Sequence, residues 1–253
     1  MRIKKVIFIS AIIIFFFTGC KKEDYISFQE LSVSMHYDEQ KQLALIFSSE
    51  ELRALDYTYQ SSDEYIASVS DSGLVSGVSI GTVVITATSS DGKYKTSCTV
   101  VIEPKSKLYR EPYMGWGETK ATIKANETRI LISESAIRIK YKGEHDYMYG
   151  VFYDFSEEDT LSIYNFVQMG VPSIVTDNIM TFCKERYRYI DSSYVFVSGQ
   201  DNTLCYTFQH RTKNIYCHLY FFEYNYGVVV LYSALPTEKW SRKMKLDKLA
   251  IYK

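Results

Sequence analysis

Residues 81–88 have the sequence GTVVITAT and carry the strand pattern that decides the fold of the N-terminal half. β-Branched residues dominate this run, as they do in strands that pack one face against a core. A second short run of this kind lies at residues 66–69, and the turn-forming sequence DSG follows it at residues 71–73. Short alternating runs between such turns predict a small antiparallel sandwich over residues 26–103.

The order of several stretches in this region resembles the group 2 bacterial immunoglobulin-like domain. The stretches are YQSSD at residues 59–63, IASV at 66–69, GLVSG at 73–77, GTVVITAT at 81–88 and the closing strand YKTSCTVV at 94–101. Tyr59 stands where the family often has Trp, and it keeps a large aromatic ring with a polar tip. The resemblance implies an all-β immunoglobulin-like sandwich that serves bacterial surface proteins as a spacer or as an adhesive module.

The N-terminus has the composition of an export signal. Three basic residues precede an apolar run at residues 6–17, which is shorter than the roughly 20 residues of a membrane-spanning helix. The sequence FTGC at residues 17–20 resembles the lipobox of bacterial lipoproteins, and this resemblance implies a diacylglycerol on Cys20. We therefore predict a lipoprotein signal peptide over residues 1–19 and a membrane anchor through the N-terminal lipid. The alternative is an ordinary signal peptide with an incidental cysteine.

The residues that follow Cys20 contain a second candidate targeting signal. Lys22, Glu23 and Asp24 resemble the lysine-plus-acidic-pair signal that directs Bacteroidetes lipoproteins to the cell surface. The resemblance implies an outer-membrane lipoprotein on the cell surface, with residues 20–25 as its lipidated tether. The alternative is a merely polar tether, because charged side chains are costly to bury.

Net charge and cysteine spacing limit the kinds of partner and of crosslink that the sequence predicts. Removal of residues 1–19 takes away Arg2, Lys4 and Lys5, so 29 − 3 = 26 basic side chains remain against 30 acidic ones, a net charge of −4. No basic surplus is left to follow a nucleic-acid backbone, so we expect no nucleic-acid partner. The remaining cysteines show no Cys-x-x-Cys spacing and are predicted to be mostly unpaired, although a disulfide stays open. They are Cys98, Cys183, Cys205 and Cys217.

The amino-acid composition changes near residue 106, at the linker sequence PKSK of residues 104–107. We predict a second domain over residues 107–253, with a short helix after Thr119 and a longer helix over residues 175–189 that begins at Thr176 and Asp177. The predicted strands cover residues 136–141, 147–153, 194–198, 203–210, 215–222 and 228–232. A helix followed by strands, repeated once, predicts an α+β domain in which about two helices pack on one curved antiparallel sheet.

Trp116 is the candidate ligand-stacking residue. It stands between two glycines in the sequence EPYMGWG at residues 111–117, which resembles the entry to uncharacterised C-terminal domains of Bacteroides lipoproteins. Flanking glycines would leave the faces of the indole open to a sugar ring. The alternative, which we favour, is a core residue at the domain boundary.

Candidate catalytic and metal-binding pairs fail on strand geometry. A four-residue turn after His210 places His218 opposite Thr207, so the two imidazoles lie on opposite faces of the hairpin. The same register separates Cys205 from Cys217, and neither a disulfide nor a two-cysteine metal site follows from it. Cys217 and His218 are neighbours on one strand and point in opposite directions, which argues against a nucleophile–base dyad. We predict no catalytic residues, no metal and no cofactor.

Charged clusters offer weaker candidates. The acidic residues at 157–159 and at 63–64 lack the spaced oxygen ligands of a calcium loop, so we predict solvated turns. The basic stretch at residues 239–253 contains interspersed apolar residues and predicts an amphipathic helix, docked on its own domain or on a membrane surface. A hydrolase is the least favoured alternative, and its candidate residues are Asp154, Glu157, Glu158 and His145.

Together these features predict a non-enzymatic, lipid-anchored envelope protein. The immunoglobulin-like domain would space the α+β domain from the lipid, and the α+β domain would bind a glycan, a host protein or another envelope component. The competing class is a periplasm-facing accessory subunit of an outer-membrane complex, because lipoproteins resembling the second domain serve as such partners. The sequence does not choose among the ligands and leaves the oligomeric state open.

Overall fold

The computed structural model describes residues 23–155, 161–195, 203–222 and 227–234. Several predicted features lie outside the described residues: the signal peptide, Cys20, Lys22, the acidic cluster at 157–159 and the basic stretch at 239–253. Among the described residues, no helix has both the length and the apolar composition needed to cross a membrane.

The first domain is a sandwich of short strands with one single-turn helix, α1 (Glu50–Arg53). The strands are β1 (Ile26–Phe28), β2 (Ser32–His36), β3 (Gln40–Gln42), β4 (Leu45–Phe47), β5 (Tyr57–Ser61), β6 (Ala67–Val69), β7 (Leu74–Gly77), β8 (Gly81–Ser89) and β9 (Lys95–Glu103). They form a four-stranded sheet in the order β2-β9-β8-β5, a three-stranded sheet β3-β7-β6 and the pair β1-β4. The predicted sandwich is therefore confirmed.

One strand pair departs from the predicted antiparallel pattern. β2 runs parallel to β9, with Val33 beside Val100. The chain leaves β2 for the second sheet instead of turning back in a hairpin, so the antiparallel constraint of a tight turn does not apply to this pair.

Alternation along β8 builds the core of the first domain. Val83, Ile85 and Ala87 are buried, whereas Val84 between them is exposed. In the turn directly before β7, Gly73 adopts φ +82°, and an added Cβ would lie 3.0 Å from the Tyr59 ring. A side chain at Gly73 would thus meet both backbone strain and a clash.

The second domain repeats one helix followed by four strands. Its elements are α2 (Lys120–Asn126), β10 (Leu131–Glu134), β11 (Arg138–Tyr141), β12 (Met148–Phe155), β13 (Leu161–Met169), α3 (Ser173–Lys184), β14 (Arg188–Val195), β15 (Thr203–Gln209), β16 (Tyr216–Phe221) and β17 (Val228–Ser233). The predicted α+β order is confirmed, with two additional strands, β10 and β13, in the first repeat.

Both ends of α3 differ from the prediction. The helix ends at Lys184, with Glu185 as its cap, and not at residue 189, so β14 begins at Arg188, before the predicted strand at 194–198. The helix begins at Ser173 after the extended residue Pro172, and not at Thr176 and Asp177. Pro172 fixes its own φ at −65° and its carbonyl accepts from the Val175 amide at 2.8 Å, so the first turn forms three residues earlier. α2 begins as predicted, with the Thr119 hydroxyl capping the Thr122 amide.

The eight strands that the structure describes in the second domain form one antiparallel sheet in the order β10-β11-β12-β13-β17-β16-β15-β14. The two repeats meet at the central pair β13-β17, where Phe166 lies beside Leu231. One face packs against α2 and α3 through Ile123, Ile179 and Phe182. The opposite face carries a second apolar cluster that includes Phe152, Phe166, Tyr220 and Leu231.

Candidate functional site

Glu185, at the C-terminal cap of α3, ties the linker to the second domain. Its side chain is fully buried. The carboxylate accepts a hydrogen bond from the Lys105 amide at 2.8 Å and from the Ser106 amide at 3.3 Å. The Arg186 guanidinium supplies the compensating charge. The predicted linker is therefore held in place by charge-assisted hydrogen bonds.

The same helix end also binds the first domain. The backbone carbonyl of Glu185 accepts from the Ile80 amide at 2.8 Å and from the Ser79 hydroxyl at 2.9 Å. A second contact comes from the turn between β15 and β16, where the Arg211 guanidinium donates to the Val78 carbonyl at 3.1 Å. Residues 78–80 of the first domain are thus hydrogen-bonded to the second domain at two positions, Glu185 and Arg211.

A cleft of about 190 Å³ lies beside these contacts, with both domains contributing to its walls. The residues that line it from the first domain are Asp63, Tyr65, Ile66, Ser79 and Ile80, and those from the second domain are Glu111, Arg186, Tyr187, His210, Arg211 and Thr212. Pockets that enclose a drug-sized ligand measure about 300–1,000 Å³. This cleft is therefore of a size for one ring or one side chain at the end of a larger ligand.

A carboxyl–phenol pair lies in the wall of the cleft on the side of the second domain. The Tyr187 hydroxyl donates to Glu111 Oε1 at 2.6 Å. Burial raises the pKa of the Glu111 carboxyl, since desolvation disfavours its charged form; the hydrogen bond from Tyr187 and the charge of Arg186 oppose this shift. Burial also raises the pKa of Tyr187 well above its ordinary value, with the nearby Glu111 adding to the shift.

His210 presents a fixed hydrogen-bonding group to the cleft. Its Nδ1 accepts from the Lys213 amide at 3.1 Å and from the Thr212 amide at 3.2 Å. The neutral ring therefore carries its proton on Nε2. Burial lowers the pKa of His210, and the charges of Lys213 and Arg211 lower it further. A neutral imidazole donor is the state that this environment favours.

The rim of the cleft combines an exposed aromatic ring with hydrogen-bond donors and acceptors. Tyr65 is 56% exposed, and its amide donates to Asp63 Oδ1 at 2.9 Å. Arg211 Nε is buried and has no hydrogen-bond partner within the described part of the chain. Burial lowers the pKa of Arg211, while Tyr65 and Asp63 are near enough to oppose the shift. The rim therefore offers a ring face and an acceptor, and a buried donor, Arg211 Nε, lies in the cleft wall beside them.

Trp116 does not line this cleft. It is partly buried against the core of the second domain, and its Nε1 is buried without a hydrogen-bond partner among the described residues. This is the position of the alternative we favoured, a core residue near the domain boundary. Ligand stacking on Trp116 stays a prediction.

The remaining predicted site residues are spread over the molecule. Glu23 and Asp24 are exposed directly before β1. Asp154 is buried and accepts from Arg138 Nη2 and the Tyr164 hydroxyl, both at 2.7 Å. His145 is exposed and stacks on Tyr147 with ring centroids 4.9 Å apart. Asp154 is therefore committed to a structural ion pair, and Glu157 and Glu158 lie outside the described residues.

The predicted hairpin register is confirmed residue by residue. His218 lies opposite Thr207, Cys217 opposite Phe208 and Cys205 opposite Tyr220. His218 is buried, with Nε2 3.1 Å from the Ser233 hydroxyl. Within the described ranges, no group of three or more His, Cys, Asp or Glu side chains is placed to hold a metal ion.

Comparison with known families accounts for the first domain. Residues 24–100 match the family model of the bacterial Ig-like domain, group 2. The first domain is a bacterial Ig-like domain. That match stops before the second domain, and among curated proteins no relative matches the chain. A solved structure with a similar stretch is a bacterial Ig-like domain containing GH10 xylanase from termite gut, at 17% identity and a TM-score of 0.23, covering 40% of this chain and 23% of the xylanase chain.

Sequence patterns had not found the cleft. Asp63 and His210 were each considered, but as parts of an acidic cluster and of a histidine pair within their own segments. The cleft joins five segments that are far apart in the chain, and only the packing of one domain on the other brings them together. The only local signal was chemical, since four of the five segments carry a charged or aromatic side chain, and the fifth contributes Ser79 and Ile80.

Proposed function

We propose that the chain is a lipid-anchored bacterial envelope protein that binds, without catalysis, the end group of a larger ligand in the cleft between its two domains. The supporting observation is that the Ig-like domain and the α+β domain both supply polar side chains to one small cleft. A spacer that merely lifted a second domain would have no need of this shared wall. In this proposal the Ig-like domain is part of the binding site.

The chemistry of the cleft favours a sugar ring over the other ligand classes. The exposed face of Tyr65 provides a stacking surface, Asp63 an acceptor, and Arg211 and neutral His210 donors. Such a set matches the alternating hydroxyl and C–H groups of a saccharide. A protein side chain and another envelope component are the competing ligands, and binding assays with each class separate them.

A non-enzymatic role is supported by the placement of the candidate hydrolase residues. Asp154 is paired with Arg138, and His145 lies in the loop before β12, away from the cleft lining. The cleft does contain the carboxyl groups of Asp63 and Glu111, so the binding assay must include a test for cleavage of any bound glycan. Release of a shortened product would overturn the non-enzymatic part of the proposal.

The binding experiment uses the chain purified from the envelope on a glycan array, followed by titration of each glycan that binds. We expect Tyr65→Ala to weaken binding about tenfold, equivalent to about 1.4 kcal/mol. Tyr194→Ala is the matched control, because Tyr194 is 71% exposed and lies on β14, outside the cleft. Equal binding by both variants would exclude the cleft as the site.

The location is tested separately. Cys20→Ala should release the protein from the membrane fraction, since the acyl chains are its proposed anchor. Protease added to intact cells should cut the wild-type chain if it is displayed on the surface through the signal at Lys22, Glu23 and Asp24. Cleavage only after lysis would favour the competing class, a periplasm-facing accessory subunit of an outer-membrane complex.

A further inference from the structure

Two of the four described cysteines meet in the core of the second domain. Cys183 on α3 and Cys217 on β16 have their Sγ atoms 3.9 Å apart. Both side chains are fully buried in the cluster that joins the helix to the sheet. We propose that these two cysteines form a disulfide when the exported chain folds, and that this bond fastens α3 to the sheet. The proposal rests on the export that is part of the proposed function.

The pairing is specific within the described residues. Cys98 lies in the core of the first domain, and Cys205 lies in the cluster on the opposite face of the sheet. Neither therefore competes for Cys183 or Cys217 in the folded chain. The predicted hairpin register separates Cys205 from Cys217, as the structure confirms. The partner of Cys217 lies on a helix 34 residues earlier in the chain, so strand spacing could not reveal it.

The bond requires a short local movement. The Sγ–Sγ distance must fall from 3.9 Å to about 2.05 Å, which side-chain rotation and a small shift of α3 must provide. Burial raises the pKa of Cys217 well above its ordinary value, so its thiol is a poor nucleophile once the domain is packed. Oxidation therefore belongs to the folding stage, before α3 closes on the sheet.

The oxidant is an accessible disulfide, such as that of an exported thiol oxidoreductase or of oxidised glutathione. The thiolate of one cysteine attacks this disulfide, forming a mixed disulfide and releasing one thiolate. The second cysteine attacks the mixed disulfide and releases the other thiolate. Two electrons and two protons pass from the cysteine pair to the oxidant, which becomes two thiols.

The position of the bond connects it to the cleft. Cys183 lies two residues before Glu185, which binds the linker and the first domain, and three residues before Arg186 in the cleft wall. Fastening this end of α3 would hold both residues in place. Reduction should therefore loosen the domain contact as well as the second domain itself.

The decisive experiment traps free thiols with an alkylating agent during lysis and maps the peptides of the envelope-derived protein by mass spectrometry. We expect a crosslinked peptide pair containing Cys183 and Cys217, with Cys98 and Cys205 alkylated. A second sample is reduced, unfolded and refolded in a glutathione redox buffer, and the same crosslink should form. Alkylation of Cys183 and Cys217 in the envelope-derived sample would overturn the proposal.

The two samples also distinguish the proposals. If the crosslink forms on refolding but is absent from protein that fractionates with the outer membrane, the disulfide in the cell is excluded while the proposed function stands. If the chain is found in the cytoplasm, the proposed function fails, and the refolded sample alone decides the pairing.

Thermal unfolding adds a readout that tolerates destabilised variants. A reductant should lower the midpoint of the oxidised wild type by about 5–10 °C. The same reductant should leave the midpoint of Cys183→Ala unchanged and should still lower that of Cys98→Ala. An unchanged wild-type midpoint would contradict the disulfide.

Discussion

The two domains reach stability by different means. Among the described residues, the buried polar side chains of the Ig-like domain are serines, whereas the α+β domain buries Glu127, Asp154, Glu185 and His218. Its carboxylates are paired: Glu127 with Arg129, Asp154 with Arg138 and Glu185 with Arg186. The first domain therefore depends mainly on apolar packing. The second depends also on buried ion pairs, in which the loss of one partner leaves a buried charge uncompensated.

The contact between the domains also differs on its two sides. The Ig-like domain contributes the Val78 carbonyl, the Ser79 hydroxyl and the Ile80 amide to the contact. The α+β domain contributes the backbone carbonyl of Glu185 and the guanidinium of Arg211. Residues 78–80 are held between the adjacent strands β7 and β8, whereas the Glu185 carbonyl at the end of α3 and the Arg211 side chain keep their positions only while the second domain is packed. The weak side of the contact is thus the α+β domain.

The largest effect should come from Glu127→Ala. Glu127 accepts from Arg129 Nη1 at 2.7 Å and from the Tyr153 hydroxyl at 2.6 Å. Its removal takes one of two carboxylates from the buried Arg129 guanidinium, leaving Glu144, and deprives the buried Tyr153 hydroxyl of its acceptor. This should lower the free energy of unfolding of the α+β domain by about 3 kcal/mol or more. Glu30→Ala is the control, because the Glu30–Lys41 pair is exposed and its loss should cost less than about 1 kcal/mol. Urea denaturation measures both, and equal costs would contradict the distinction.

The next effect concerns the linker between the domains, which the Glu185 carboxylate holds. Glu185→Ala should cost about 3 kcal/mol, because the amides of Lys105 and Ser106 and the charge of Arg186 lose their acceptor. Calorimetry should show one unfolding transition for the wild type and two for this variant. Lys184→Ala, at the exposed neighbouring position, should keep the single transition. Two transitions in the wild type would show that the contact does not couple the domains.

Two separate glycine substitutions test the packing of the Ig-like domain. A Cβ at Gly77 would lie 2.9 Å from the His36 carbonyl oxygen, so Gly77→Ala should cost about 1–3 kcal/mol through overpacking. Gly92 has φ +72° and no atom within 4 Å, so Gly92→Ala should cost about 1 kcal/mol through backbone strain. Thermal unfolding should show the loss in the Ig-like domain, and a larger cost at Gly92 would contradict the packing of β7.

The smallest effect is a pH dependence that arises in the cleft wall. The raised pKa of Glu111 means that the folded state binds a proton more tightly than the unfolded state. Stability should therefore fall as pH rises through the window between the ordinary and the raised pKa, by at most about 1.4 kcal/mol per pH unit. Glu111→Gln should remove this slope. A slope of opposite sign in the wild type would show that Glu111 is stabilised in its charged form.

Local patterns predicted the two helices, most of the strands and one complete strand register, but they missed β10 and β13. The turn at residues 211–214 sets the pairing of β15 with β16, so the positions of His218 and Cys217 followed from turn length alone. The N-terminus of α3 was wrong because the preference of Thr176 and Asp177 for helix starts was overridden by the fixed geometry of Pro172. The cleft and the Cys183–Cys217 contact were out of reach, since both depend on segments joined only by tertiary packing.

The central claim is that the two domains form one unit around the cleft, and hydrogen exchange at two amides tests it most directly. The Ile80 amide donates to the Glu185 carbonyl, and the Lys105 amide donates to the Glu185 carboxylate. Both amides should be protected as strongly as those at the centre of α3, because they open only when the domain contact opens. Exchange of both at the rate of an exposed loop, while the strands stay protected, would contradict the claim.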